Sequence, residues 1–176
     1  HGISHDAWKR YTKSGFWYYE VVDTGYKYNT TDIQASLGLA QLKKQEWMWK
    51  RRKAIAQRYT AAFKCLDAII IPAVKSDRES AWHLYVIKLN LNMLTIDRKD
   101  FIAKLKKRGI NTSVHFIPLH RHPYYRTVFG LKSKNYPAAE WIYQRSISLP
   151  IYPGMTDAQI DYVIDNISEL CKRWKR

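Results

Sequence analysis

Long apolar runs are missing from this sequence of 176 residues. No stretch approaches the roughly 18 apolar residues that a membrane-spanning helix needs, so we expect no membrane association. Cysteine is scarce as well, since the chain has 2, Cys65 and Cys171, each within an apolar helical pattern. We therefore expect buried, reduced thiols in a cytoplasmic protein, with a disulfide as the less favoured alternative.

Acidic side chains are half as frequent as basic ones. The 15 Asp and Glu residues are outnumbered by 30 Lys and Arg residues, which gives a net charge of +15. Such an excess attracts polyanions, and the candidates are nucleic acid, a nucleotide-sugar pyrophosphate or an acidic part of the same protein. Much of the charge lies between residues 43 and 53, interleaved with Trp47, Met48 and Trp49, and we interpret it as a solvated helix face beside a buried one.

No internal repeat or low-complexity tract is present, and 46% of the residues are apolar, which is enough for an ordinary domain with a core. Residues 1–29 are rich in aromatic side chains without a sustained period, and we expect a connecting arm there. Thr31 and Gln34 have the spacing of a capping box, which predicts the start of a long linking helix over residues 30–66. Residues 67–176 are expected to form a small α/β domain.

Strand and helix signals alternate through that domain. Strands are predicted over residues 82–89, 112–116 and 146–149. Helices are predicted after Asp97, from Pro137 to Gln144 and after Thr156, with Gly109 placed to end the first of them. The sequence therefore predicts an α/β fold in which a sheet of about three strands is covered by helices.

Three segments carry a resemblance to a known family: His1-Gly2-Ile3-Ser4, the run from Gly25 to Ala35, and the run from Ser113 to Pro123. In this order they resemble the second half of the DegT-type sugar-nucleotide aminotransferases, which are pyridoxal-phosphate enzymes of fold type I. The resemblance extends from His1 to about Trp174. It implies the small C-terminal domain of such an enzyme, preceded by a long helix.

The same resemblance implies that the chain is the C-terminal portion of a larger enzyme. The family's Schiff-base lysine lies before the tetrapeptide that starts at His1, and a first residue other than Met agrees with a fragment. We expect pyridoxal phosphate in the complete enzyme, an amino group taken from glutamate, a keto-sugar nucleotide as acceptor, a homodimer, and no activity of this chain alone. No catalytic residue is assigned to it.

Asn29 matches the asparagine with which the family reaches the cofactor phosphate of the neighbouring subunit. An amide donor just before a capped helix also suits an anion, because the helix dipole is positive there. The alternative is that Asn29 and Thr30 only end the arm and start the helix.

The resemblance also places a set of side chains on the substrate side of the cleft: His115, Pro118, His120, Arg121 and Tyr124. Arg121 or Arg126 would be available to a pyrophosphate. His83, within the first predicted strand, is either a further substrate-binding residue or a structural residue of the sheet. A metal site made by the neighbouring histidines is less favoured, because no cysteine or acidic residue lies close by in the sequence.

A different class of function remains open, namely a basic nucleic-acid-binding domain. The high charge and the aromatic residues Trp47, Trp49, Tyr124 and Tyr125 would support it. However, no helix-turn-helix, KH, RRM or zinc-finger motif is present, so the aminotransferase hypothesis is favoured. The sequence does not distinguish amination at C3 from amination at C4, identify the nucleotide, or distinguish a truncated product from one half of a split enzyme.

Overall fold

The structure is a computed structural model that describes residues 2–3 and 19–176. Within them the order of elements is α1 (Asp32–Phe63), β1 (Ile69–Ile70), β2 (Tyr85–Leu89), α2 (Arg98–Lys107), α3 (Pro123–Phe129), α4 (Pro137–Arg145), β3 (Ser146–Leu149) and α5 (Asp157–Arg173). Short 3-10 turns occur at Leu91–Met93, Leu119–Arg121 and Ser133–Asn135. The chain divides into two compact units, residues 1–43 and residues 44–176, and the boundary lies within α1.

The strands of the second unit form an antiparallel sheet in the order β1-β2-β3. Ile69 is opposite Leu89, and Tyr85 is opposite Leu149. Along β2 every second side chain is fully buried and the residues between are half-buried. This alternation turns one face of the sheet toward the core, as the two-residue period of a strand requires.

The core of the second unit lies between that sheet face and three helices. It is formed by the last turns of α1, by α2 and by one face of α5, with these buried side chains: Ile55, Tyr59, Phe63, Phe101, Leu105, Ile160, Val163, Ile167 and Leu170. The phenol of Tyr59 donates to the carbonyl of Pro150 at 2.9 Å, which satisfies the polar end of a buried ring.

Most of the predicted helix signals are confirmed. The N–H of Gln34 donates to Thr31 Oγ1 at 3.3 Å, and Gln34 Oε1 accepts from the N–H of Thr31 at 3.0 Å, so the capping box precedes α1. Thr156 and Gln159 form the same reciprocal pair before α5. Asp97 caps α2, accepting from the N–H of Asp100 at 2.8 Å. The fold class is therefore the predicted one, α/β with three strands and helices.

Two of the strand predictions need correction. Residues 112–116 do not form a strand: only Ser113 pairs with the sheet, through two backbone hydrogen bonds to Ser148, and the chain then turns toward α4. The third strand is instead the short β1, whose two residues are too few to leave a pattern in the sequence. The first predicted strand begins at Tyr85, so His83 lies outside it, at a bend. The helix α3 was not predicted.

Cys65 was expected to be buried within a helix, but it is exposed and lies in the turn after α1, while Cys171 is buried as expected. The predicted domain boundaries at residues 29 and 66 remain predictions. Most of the arm and its aromatic side chains, residues 4–18, fall outside the described residues, as does His1 of the first tetrapeptide. Among the residues that the structure describes, no helix combines the length and apolar character needed to cross a membrane.

Candidate functional site

A cavity of about 240 Å³ lies between the segment that follows Ser113 and the helix α4. Its wall is made by Val114, His115, Phe116 and Pro118 on one side and by Ala139, Ile142, Tyr143 and Ser146 on the other. Two of the predicted substrate-side residues, His115 and Pro118, therefore line one cavity. We call it the α4 cavity.

His115 is oriented by the edge of the sheet. Its ring Nδ1 lies 2.8 Å from the hydroxyl of Ser148, a buried residue of β3. The backbone of Ser148 in turn exchanges hydrogen bonds with Ser113, at 2.8 and 3.1 Å. Because the ring is fixed through Nδ1, the rest of the imidazole is presented to the α4 cavity, where a hydrogen-bonding ligand could use it.

His120 and Arg121 share one carboxylate. Nε2 of His120 lies 2.6 Å from Oε1 of Glu140, and Nε of Arg121 donates to the same oxygen at 2.8 Å. A terminal nitrogen of Arg121 contacts the second oxygen, so the guanidinium binds the carboxylate in a bidentate manner. His120 is 5% exposed and the side chain of Glu140 12%. This cluster ties the short turn after Pro118 to α4.

The electrostatics of the cluster favour ionised Glu140. The hydrogen bond from Arg121, followed by that from His120, holds the pKa of the Glu140 carboxyl far below its usual range. Aromatic rings complete the surroundings, since Tyr136 stacks on His120 with ring centroids 4.7 Å apart and Tyr143 lies 4.7 Å from the Arg121 guanidinium carbon. Because Tyr143 also lines the α4 cavity, the cluster forms part of its support.

Tyr124 lies on the neighbouring helix α3 and is 63% exposed. Pro123 opens this helix at its first position, and Gly130 ends it with a positive φ of 61°. Several large apolar side chains of the same stretch are exposed as well: Phe116, Ile117, Leu119, Val128 and Phe129. An exposed apolar surface of this kind is typical of a binding surface.

His83 does not join this group. It is exposed, and no hydrogen bond or ring contact within the described residues connects it to His115, His120 or Arg121. The residue before it, Trp82, has a positive φ of 47°, which is uncommon for a bulky side chain, and its indole stacks on Tyr85 at 5.6 Å.

The histidines of the segment are each engaged with a different partner. His115 contacts Ser148, His120 contacts Glu140, and His122 Nε2 lies 3.3 Å from the carbonyl of Ile117. In residues 2–3 and 19–176, no group of three or more His, Cys, Asp or Glu side chains is placed to hold a metal ion. The geometry therefore gives no support to the metal-site alternative.

Sequence reasoning missed Glu140 and Tyr143, which lie one turn apart on α4. A helical acid and an aromatic residue have many structural uses, and no motif marks them. Their role becomes apparent only when the fold brings α4 against residues 114–121. A larger cavity of about 520 Å³ lies elsewhere in the second unit, and Ile110, Tyr152, Met155 and Tyr162 contribute to its wall. None of the predicted site residues lines that cavity.

In the first unit, Asn29 lies two residues before the capping threonine of α1 and is exposed. The capping box uses the amides of Thr31 and Gln34, while the N–H groups of Asp32 and Ile33 donate to no acceptor within the described residues. Unpaired amides at the positive end of a helix dipole can bind an anionic group.

Known proteins match the chain closely in both sequence and structure. An uncharacterised protein of Methanocaldococcus jannaschii is 54% identical over 97% of this chain, and the spore coat polysaccharide biosynthesis protein SpsC of Bacillus subtilis is 47% identical over 98% of it. The putative sugar aminotransferase Spr1654 of Streptococcus pneumoniae, in a form with pyridoxamine phosphate, superposes with a TM-score of 0.77 at 34% identity over 98% of this chain and 43% of that one. A form with pyridoxal phosphate gives a TM-score of 0.75.

The chain spans 44% of the length of both sequence relatives. The solved structure of Helicobacter pylori PseC, an aminotransferase involved in pseudoaminic acid biosynthesis, is also matched over part of its length. It superposes with a TM-score of 0.75 at 27% identity, over 99% of this chain and 44% of that one. These relatives give no support to a nucleic-acid-binding role. The sequence profile of the DegT/DnrJ/EryC1/StrS aminotransferases matches residues 1–168. This chain therefore belongs to the DegT/DnrJ/EryC1/StrS aminotransferase family.

Proposed function

We propose that this chain is the C-terminal part of a pyridoxal-phosphate-dependent enzyme that transfers an amino group from glutamate to the ketone of a nucleotide-linked sugar. The observation that carries the proposal is the family match over residues 1–168, by a chain that spans less than half of its relatives. On this proposal the chain binds substrate and one end of the cofactor, and it does not catalyse amino transfer alone.

The residues present fit only one end of the cofactor. When bound, pyridoxal phosphate would supply the electron sink for the proton transfers at carbon by which an amino group passes from donor to acceptor. A lysine that holds such a group needs an enclosed, desolvated position. Among the described residues the buried polar side chains are His120, Ser146 and Ser148, so no described lysine has that environment.

The start of α1 has groups that suit the phosphate end of the cofactor. Asn29 would donate its side-chain amide to the phosphate. The N–H groups of Asp32 and Ile33, which donate to no described residue, would add the positive end of α1. The carboxylate of Asp32 occupies the same turn, so the net attraction depends on the angle from which the phosphate approaches. In the assembled enzyme, we propose that Asn29 serves the cofactor of the neighbouring subunit in a homodimer.

The substrate would lie against the α4 cavity and the exposed surface of α3. His115, held by Ser148, would donate or accept a hydrogen bond at a sugar hydroxyl, and Tyr124 would offer a ring and a phenol. His120 is 5% exposed and paired with Glu140, so it would act on the sugar nucleotide indirectly, by holding Arg121 and the turn after Pro118 in place. Arg121 is the most direct candidate for a pyrophosphate, since 36% of its side chain is exposed. His83 lies apart from these residues, so it would contact the substrate separately from them.

A chimeric enzyme tests the proposal. This chain would replace the matching segment of the Streptococcus pneumoniae sugar aminotransferase, and the chimera would be supplied with pyridoxal phosphate, glutamate and a panel of keto-sugar nucleotides. We expect 2-oxoglutarate release that depends on the sugar nucleotide, and none from this chain alone under the same conditions.

The control is the same chimera with His115→Ala, which should retain the cofactor and lose most of the sugar-dependent rate. A folded chimera that binds cofactor but releases no 2-oxoglutarate with any keto sugar would contradict the proposal. So would turnover by the isolated chain. A further check uses borohydride with pyridoxal phosphate on the isolated chain, where we expect no single lysine to be labelled in preference to the others.

A further inference from the structure

The chain's two cysteines, Cys65 and Cys171, line the same small cavity of about 90 Å³ in the second unit. Met93 and the lysines Lys172 and Lys175 contribute to its wall. Cys65 is exposed, whereas Cys171 is 4% exposed. The proposed aminotransferase chemistry uses neither thiol.

The fold brings two distant parts of the chain together at this cavity. Cys65 lies in the turn that follows α1, and Cys171 lies in the last turn of α5. Just beyond α5, Nζ of Lys175 lies 3.4 Å from a carboxylate oxygen of Asp67, which is two residues after Cys65. This ion pair therefore links the segment that follows Cys65 to the segment that follows Cys171.

Backbone hydrogen bonds fix the end of the chain beside the cavity. The N–H of Thr95 donates to the carbonyl of Trp174 at 2.9 Å, and the N–H of Arg176 donates to the carbonyl of Met93 at 3.0 Å. The position of Cys171 is thus fixed by the helix α5 and by these backbone hydrogen bonds just beyond its end. Cys65 lies on an exposed turn, where a side-chain rotation requires no repacking of the core.

The two thiols differ in their access to reagents. Burial raises the pKa of the Cys171 thiol to about 12, so this thiol is protonated near neutral pH. Cys65 is open to a soluble reagent.

We propose that Cys65 and Cys171 form a reversible intramolecular disulfide by exchange with a low-molecular-weight disulfide of the glutathione class. The Cys65 thiolate attacks one sulfur of glutathione disulfide, which forms a mixed disulfide and releases one glutathione. Cys171 then gives its proton to solvent and attacks the Cys65 sulfur, which releases the second glutathione. Two protein thiols are oxidised and one glutathione disulfide is reduced to two thiols.

Such a bond would close a loop from residue 65 to residue 171, which contains most of the second unit. A disulfide that closes a long loop restricts the unfolded chain and therefore stabilises the folded one. It would also fasten the end of α5 to the end of α1. The site is independent of the proposed amino transfer, and its test does not need an active enzyme.

The test is incubation of the full chain with glutathione disulfide near neutral pH, followed by alkylation, digestion and mass spectrometry. We expect the peptides containing Cys65 and Cys171 to appear as one linked species, two hydrogens lighter than their sum, in a monomer on a non-reducing gel. A Cys65 mixed disulfide that persists without closing would overturn the proposal. So would dimers joined through Cys65.

Variants separate the two steps. Cys171→Ser should stop at the mixed disulfide, and Cys65→Ser should take up no glutathione while folded. Cys171→Ala provides a second variant in case a buried hydroxyl destabilises α5. The melting temperature should rise on oxidation of the wild type and of neither variant. Closure should accelerate as the pH rises, because Cys171 must lose its proton, and a closure rate independent of pH would contradict attack by the Cys171 thiolate.

Discussion

Ile33 and Ile55 lie on the same helix, α1, yet Ile33 is 74% exposed and Ile55 is fully buried. The difference follows the boundary between the two compact units. In the second unit, the last turns of α1 pack against the sheet, α2 and α5. In the first unit, several large apolar side chains are exposed: Val21, Val22, Tyr26, Tyr28, Ile33, Leu37, Leu39 and Leu42.

The comparison shows that one helix can serve two different purposes. The second unit buries a continuous core from its own residues, as an independently stable domain must. The first unit exposes apolar surface that a soluble monomer rarely leaves open. On the proposed function, the rest of the enzyme and a second copy of the chain would cover this surface.

The largest expected effect separates the two halves of α1 directly. Ile55→Ala should lower the free energy of unfolding by about 2–5 kcal/mol, because it removes buried methyl groups and leaves a cavity. Ile33→Ala, the matched control on the same helix, should change it by less than about 0.5 kcal/mol. Urea unfolding of the isolated chain measures both. Equal losses would show that the first turns of α1 are packed in solution, which would remove the distinction between the units.

Sequence patterns predicted the helices better than the strands, for a local reason. A capping box needs two side chains at a fixed spacing, so Thr31 with Gln34 and Thr156 with Gln159 were visible in the sequence. The strand β1 has two residues, and its pairing depends on β2, which lies 15 or more residues away. Residues 112–116 look like a strand, but among them only Ser113 pairs with the sheet, opposite Ser148.

The candidate site was predictable only where the family resemblance supplied it. His115 and Pro118 were expected at the substrate side, and they do line one cavity. Glu140 was not expected, because its significance depends on the folded contact with His120 and Arg121. The same holds for α1. Ile33 and Ile55 both fit the helical pattern of apolar residues, but only the fold shows that Ile55 packs into the core and Ile33 does not.

The next prediction concerns the first unit within an assembled enzyme. Asn29→Ala in the chimera should weaken cofactor binding about 10- to 150-fold, which is the value of one charge-assisted hydrogen bond of about 1.5–3 kcal/mol. The melting temperature of the cofactor-free protein should stay nearly unchanged. Asn92→Ala, an exposed asparagine of the second unit, is the control and should affect neither quantity. An unchanged dissociation constant with a lower melting temperature would leave Asn29 a structural residue at the start of α1.

A third prediction uses pH to probe the ionic cluster of the second unit. The pKa of Glu140 is lowered in the folded state, so its ionised form stabilises the fold above its ordinary pKa of about 4.3. That contribution is lost as the pH falls below this value toward the folded-state pKa. Glu140→Gln should therefore be less stable than the wild type at neutral pH, and the gap should narrow in acid.

Urea unfolding of the wild type and the variant near neutral pH and near pH ~3 measures that gap. Glu46→Gln is the matched control, because the Glu46–Lys50 pair is a turn-to-turn ion pair with both side chains more than 60% exposed. Exposed pairs of this kind contribute little, so this variant should differ from the wild type only slightly at either pH. A gap for Glu140→Gln that is constant with pH would mean that its charge does not stabilise the cluster.

The smallest expected effect compares two identical capping boxes, one in each unit. Thr156→Ala removes the acceptor for the N–H of Gln159 at the start of α5, a helix packed along its length, and should lower the free energy of unfolding by about 1 kcal/mol. Thr31→Ala removes the same bond at the start of α1, where the first turns are exposed. Those turns can fray without unfolding the second unit, so the loss should stay below about 0.5 kcal/mol.

Hydrogen exchange would show the effect of Thr31→Ala as faster exchange of the first backbone amides of α1 alone. If both substitutions lowered the global stability equally, the start of α1 would have to unfold together with the core, and the two units would behave as one.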